Sequence, residues 1–189
     1  MSAIHEHVLQ NGMTLLCWPQ RHLHGLEFGL YLKGGPLYET EETQGISNLL
    51  EHLCFRGLGG LNREGLLREL NRFGTNLDAA TYAEGLVFRL KCLPRFFDAA
   101  LEYFLRFFAN VPWTPEQIAA EKQVVLRQLE ADGDGDLFDR AACDFRKTEN
   151  GAFPPLGTPE SLMALTEADI QLWQEMIFQP QNACLVMTG

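Results

Sequence analysis

Apolar and polar positions recur with two periods along this chain, and the periods predict its elements. Ile4 to Trp18 alternates on either side of Asn11-Gly12, a strong turn pair, and predicts a hairpin of two strands. Gly25 to Lys33 predicts a third strand, closed by the turn Gly34-Gly35-Pro36. After a short polar lead-in from Thr40 to Gln44, the segment Gly45 to Gly57 reads as a helix, and Asn62 to Phe73 as a second, amphipathic one stopped by Gly74. Asn76 to Gly85 then leads into an apolar strand from about Tyr82 to Lys91. Pro94 to Asn110 looks helical, with Phe96, Phe97, Ala100, Leu101, Phe104, Phe107 and Phe108 as its apolar positions. Thr114 and Pro115 are a good N-cap and first residue for a helix to about Glu130. Helices over Asp136 to Lys147, Thr158 to Met163 and Thr166 to Phe178 follow, and Ala183 to Thr188 closes as a strand.

The first of these helices carries the most informative residues. It reads Asn48-Leu-Leu-Glu51-His52, the inverted zinc-peptidase pattern H-x-x-E-H with Asn in place of the first His. A catalytic zinc needs about three protein ligands and an open position for water. Two imidazoles four residues apart share one helix face and reach one ion, and a Glu between them acts on the metal-bound water as general base. Asn48 offers only a neutral carbonyl oxygen at the first position. A Glu-His pair alone is ordinary surface or core; its surroundings give it weight.

Those surroundings are "LQNGMTLLCWP" at 9–19, "GISNLLEHLCFRG" at 45–57, "FGTNLDAATYAEGLVF" at 73–88, "EKQVVLRQLEAD" at 121–132 and "FQPQNACLVMTG" at 178–189. In this order they resemble the pitrilysin/insulinase family of inverzincin metallopeptidases, which includes the mitochondrial processing peptidases. The resemblance spans nearly the whole chain and about one of the two homologous halves of a family domain pair. It implies an α+β fold, a two-layer sandwich of a mainly antiparallel sheet with helices packed on one face. It also implies that residues 1–189 are one domain, the N-terminal half of a longer two-half protein.

The resemblance further implies a third zinc ligand, a Glu closing a block E-x-x-V-V-x-x-E. Here the block is Glu121-Lys-Gln-Val-Val-Leu-Arg-Gln128, so Gln128 holds the ligand position and Glu121 survives as the leading acid. His52 is the remaining expected ligand and Glu51 the expected base. Glu130 is turned about 200° from Gln128 on a helix and is a poor substitute, whereas Glu121 shares its face about 10 Å away and reaches the site only as an outer contact. The family places Asn76 and Tyr82 beside the site, as candidates for a peptide cleft where extended substrate pairs with a strand edge. Cys54 faces elsewhere on the helix and reads as a small core residue.

Composition narrows the classes. A chain of 189 residues with 46% hydrophobic content buries a substantial core. Its net charge of −10 disfavours nucleic acid and anionic membrane surfaces, which need a basic footprint. No stretch is apolar enough to span a bilayer, and the first residues lack a secretory signal, with the initiating Met arguing against a trimmed one. Five dispersed cysteines, without a Cys-x-x-Cys, read as reduced thiols of a cytoplasmic protein. His22 and His24 could share a metal weakly but read as a solvated loop. Asp132, Asp134 and Asp136 have calcium-loop spacing, yet Leu137 and Cys143 stand where the loop needs Gly and Glu, so an acidic, helix-capping loop is expected. Phe104, Phe107, Phe108 and Trp113 read as core before cleft.

Two expectations of different class follow. The first is a noncatalytic peptidase-like domain that needs no cofactor, binds peptide or protein, and partners a second homologous domain or a catalytic sister subunit. The alternative is a zinc-dependent metalloendopeptidase with Glu51 as base and unusual ligands. A domain kept purely as structural support is a third reading.

Overall fold

In the computed structural model, residues 3–131 and 153–189 are described. Eight strands and six helices alternate along them. They are β1 (His5–Val8), β2 (Thr14–Trp18), β3 (Leu26–Lys33), α1 (Ile46–Cys54), β4 (Gly57–Leu58), β5 (Leu61–Asn62), α2 (Arg63–Phe73), β6 (Leu77–Tyr82), β7 (Gly85–Cys92), α3 (Phe97–Leu105), α4 (Pro115–Ala131), α5 (Pro159–Ala164), α6 (Glu167–Ile177) and β8 (Ala183–Thr188). Six strands form one sheet in the order β1-β2-β8-β3-β7-β6, and β4 and β5 form a small separate hairpin. Within the large sheet only β2 and β8 run parallel. This is the mainly antiparallel α+β arrangement that the sequence implied.

Period-two alternation decides which face is buried. Phe28, Leu30 and Leu32 of β3 and Leu86, Phe88 and Leu90 of β7 point inward and are buried, while Tyr31, Lys33 and Lys91 point out and are exposed. The inner face meets Ile46, Leu49, Leu50 and Leu53 of α1 and the aromatic side of α3, with Phe28 5.9 Å from Phe104 and Phe88 4.4 Å from Phe107 between ring centroids. Each such side chain stabilises the fold by about 1.5–3 kcal/mol relative to exposure. Phe104, Phe107 and Trp113 are therefore core, Phe108 is half-buried against it, and Cys54 is a fully buried small residue.

Two expectations are corrected. Leu77 to Tyr82 is a strand in its own right, paired with β7 through the Ala83-Glu84 turn, where the sequence suggested only a lead-in. Its small residues Ala79 and Ala80 hid the alternation. Pro94 to Asn110 is not one helix: 3-10 turns at Pro94–Phe96 and Arg106–Phe108 flank the α-helix. The caps follow the sequence closely. Gly74 takes the left-handed conformation that ends α2, Asn62 accepts from Gly65 N–H to start it, and Thr114 and Gln117 cap α4 reciprocally. His22 and His24 are exposed between β2 and β3. The expected helix from Asp136 to Lys147, the acidic run before it and Cys143 lie outside the described residues.

Candidate functional site: a candidate metal-site helix and its partners

Helix α1 is buried on nearly every side: among its nine residues only His52 is not buried. A helix so enclosed is ordinarily apolar throughout, yet this one carries Ser47, Asn48, Glu51 and His52, each of which needs a partner. Its start shows how much of the surroundings serve it. Gly45 precedes the helix at φ +85 with no side chain to cap it, and a Cβ there would stand 2.7 Å from the Leu156 carbonyl oxygen. The cap comes instead from Glu39, whose carboxylate accepts from Gly45 N–H at 2.8 Å and Ser47 N–H at 3.0 Å. A carboxylate at a helix N-terminus also meets the positive end of the dipole. Burial pushes the Glu39 carboxyl up, against the pull of these donors. Trp173 of α6 donates its indole N–H to Ser47 Oγ at 3.1 Å, fixing the same turn from another side.

One turn on, Asn48, Glu51 and His52 share a face through i, i+3, i+4 spacing. Glu51 is 9% exposed and accepts a hydrogen bond of 2.5 Å from the Thr81 hydroxyl on β6. Burial raises its carboxyl from its ordinary value; Thr81 and then His52 pull it down, and Asp78 adds to the rise. His52 Nδ1 lies 3.2 Å from Glu121 of α4, which also accepts from Arg56. Burial pulls the Glu121 carboxyl up, but donation from His52 and Arg56 outweighs it and the group lies below its ordinary value. An ionised carboxylate only accepts, so Nδ1 carries a proton, and Nε2 is the nitrogen left to offer a lone pair to a metal. That is the tautomer and orientation a metal-binding histidine needs.

The remaining expected ligands do not complete a metal site. Asn48 is 8% exposed, and its Oδ1 is buried without a hydrogen-bond partner among the described residues. Gln128 is exposed, two turns beyond the buried Glu121 on α4. Among the described residues no group of three or more His, Cys, Asp or Glu side chains is arranged to hold a metal ion. The donor set offers one imidazole and two neutral amides, with no anion among the ligand positions. It does not fit the catalytic zinc that the motif implies. Glu130 is exposed as well.

The cleft candidates separate. Thr81, and not Tyr82, shares the face of Glu51. Tyr82 is 52% exposed on the other side of β6, where its hydroxyl meets Arg89 at 3.4 Å. Asn76 is exposed just before β6. The sequence reading missed Thr81, Arg56 and Glu39. Thr81 was within reach of it, since Leu77, Ala79 and Thr81 share the parity of one strand face. Arg56 follows His52 by one helical turn. Glu39 sits in a loop, and no local pattern marks it.

The fold and this helix define a class: a peptidase half-domain of the inverted-motif type. Residues 24–142 match the family model described as Insulinase (Peptidase family M16), and the chain belongs to that family. It is 26% identical to an uncharacterized zinc protease of Rickettsia felis over 96% of this chain and 45% of that protein. To the mitochondrial-processing peptidase subunit beta of Caenorhabditis elegans it is 27% identical over 85% of this chain and 36% of the relative. Among solved structures, a peptidase M16 inactive domain from Pseudomonas fluorescens superposes with a TM-score of 0.85 at 15% identity, covering 99% of this chain and 46% of that one. The chain thus spans less than half the length of the curated relatives named here.

Proposed function

We propose that this domain is a noncatalytic member of its family, a peptidase-like module that binds peptide or protein and supports an active sister subunit or a second homologous half. The observation that carries the reading is the buried Asn48 Oδ1 at the first ligand position, which has no hydrogen-bond partner among the described residues. An imidazole there would have a metal to meet; an amide oxygen leaves a desolvated acceptor that stabilises nothing. The exposed Gln128 at the third position argues in the same direction.

Binding does not require the metal. β6 is an outermost strand of the sheet among the described strands, and an extended peptide added beside it gains main-chain hydrogen bonds without zinc. Relatives more than twice as long, one of them named as a subunit, support a second half or sister chain as the partner.

The Thr81–Glu51 and His52–Glu121 contacts favour the second reading, a zinc-dependent metalloendopeptidase with Glu51 as base. Metal analysis of the protein purified without added zinc, with Glu51→Gln and His52→Ala alongside, separates the two. Folded, zinc-free protein is the expected result. Near-stoichiometric zinc that vanishes with His52→Ala sinks the noncatalytic reading.

A further inference from the structure

At the end of the sheet away from Glu51, the start of β3, the end of β7 and the last turn of α2 enclose an open cavity of about 610 Å3. Thr81 pairs with Leu86 at one end of β7, and the cavity begins at Lys91 and Cys92 near the other, so the two places stand roughly 20 Å apart along the strand. The volume is that of a small-ligand or peptide-end site.

Its floor is apolar, built from Leu26, Phe73 and Phe96, and Leu23 and Leu93 rise beside it, each 47% exposed. Three cations, Arg72, Lys91 and Arg95, line it with a single carboxylate, Glu27. Glu27 is already engaged by Lys91 at 3.6 Å, in an exposed pair of little strength. Arg72 and Arg95 make no ion pair among the described residues. Arg95 sits over the Phe96 ring, 4.8 Å from its centroid, and stacking of that kind leaves the guanidinium N–H edges for a bidentate acceptor. The carbonyl end of α2 adjoins the cavity and would repel an anion. Two of its last carbonyls are occupied, Asn71 O by Gly74 N–H at 3.1 Å and Leu70 O by Thr75 N–H at 3.2 Å. In a chain of net charge −10, this concavity has the opposite sign.

We propose that the cavity binds the C-terminal end of a peptide whose last side chain is apolar. The terminal carboxylate lies between Arg72 and Arg95, the last side chain covers Phe96 and Leu93, and a preceding acidic residue meets Lys91 in place of Glu27. Charge complementarity selects an anion, and the three leucines and two phenylalanines select an apolar body attached to it.

The test is fluorescence anisotropy of a fluorescein-labelled hexapeptide ending in Asp-Glu-Phe, titrated with the full chain at low salt. The same peptide as its C-terminal amide and unlabelled decanoate as competitor accompany it. The free acid is expected to bind about tenfold tighter than the amide, a difference of one charge-assisted contact. Arg72→Glu with Arg95→Glu abolishes binding, and Arg95→Lys weakens it severalfold because a point charge replaces a fork. Both arginines are exposed, so the variants fold, and circular dichroism checks this. Methyl NMR shifts of Leu23 and Leu93 on titration place the peptide independently. Equal binding of acid and amide, indifference to the double charge reversal, unmoved methyls or no binding at all each overturn the proposal. Decanoate binding without peptide binding assigns the cavity to an amphiphile and overturns it too.

Discussion

Thr81 donates its hydroxyl to the Glu51 carboxylate at 2.5 Å, while Tyr82, next along β6, lies on the opposite face against Arg89. One hydrogen bond thus joins an outermost strand of the sheet to the buried helix that carries the motif. It offsets part of the upward push that burial exerts on Glu51. Because the folded state holds that proton more tightly than the unfolded chain, Glu51 lowers stability as pH rises from its ordinary 4.5 through its folded value. Glu51→Gln is therefore expected to stabilise the domain at pH 7 by about 1 kcal/mol, or ~2–4 °C in Tm, with the gain fading toward pH 4. Thermal melts across that range check it; a variant less stable than the parent at pH 7 contradicts it.

Glu121 has the opposite sign. Its folded value lies below the ordinary 4.5, so it contributes stability above that pH and loses it as pH falls through the folded value. Glu121→Gln should cost ~2 kcal/mol at pH 7, the worth of hydrogen bonds to a charged group, and should flatten the acid limb of the stability curve. His52 and Arg56 have side chains 19% and 28% exposed, which keeps the cost at the modest end. Urea titrations at pH 7 and pH 3.5 read both effects.

Asn48 stands in a place where an apolar residue does better. Its Oδ1 is buried and has no hydrogen-bond partner among the described residues. Asn48→Leu is predicted to raise stability by ~1–2 kcal/mol, the desolvation cost of an unsatisfied group. A destabilised variant would show that the amide has a partner, such as bound water or ligand, in solution.

Restoring the ligands tests the site geometry directly. Asn48→His with Gln128→Glu supplies an imidazole at the first position and an anion at the third, beside a His52 already oriented by Glu121. The double variant is expected to bind one zinc per chain in calorimetry, with neither single variant matching it. No binding by the double variant counts against the register placed on Gln128.

The strands His5–Val8, Thr14–Trp18, Leu26–Lys33 and Ala183–Thr188 and the caps of α2 and α4 follow from local rules, because turn pairs, N-caps and period-two alternation involve neighbours in sequence. β6 escaped because Ala79, Ala80 and Thr81 carry little apolar contrast, and only pairing with β7 makes them a strand. The site divides in the same way. Asn48, Glu51 and His52 lie within one helical turn or so and could be read from their spacing, whereas the place of Gln128 came only with the family resemblance.

The sequence by itself carried the family, through motifs that depend only on which residue stands where, and that resemblance implied the ligand positions now held by Asn48 and Gln128. The tertiary structure decided what those residues meet. It brought Glu121 to His52 across 69 positions, Thr81 to Glu51 across 30 and Glu39 to the start of α1, and it left Asn48 Oδ1 without a hydrogen-bond partner among the described residues. It also sent Tyr82 to the far face and gathered Arg72 and Arg95 around one cavity. Contacts of that kind depend on how sheet and helices pack, and no local pattern encodes the packing partner of a single polar side chain.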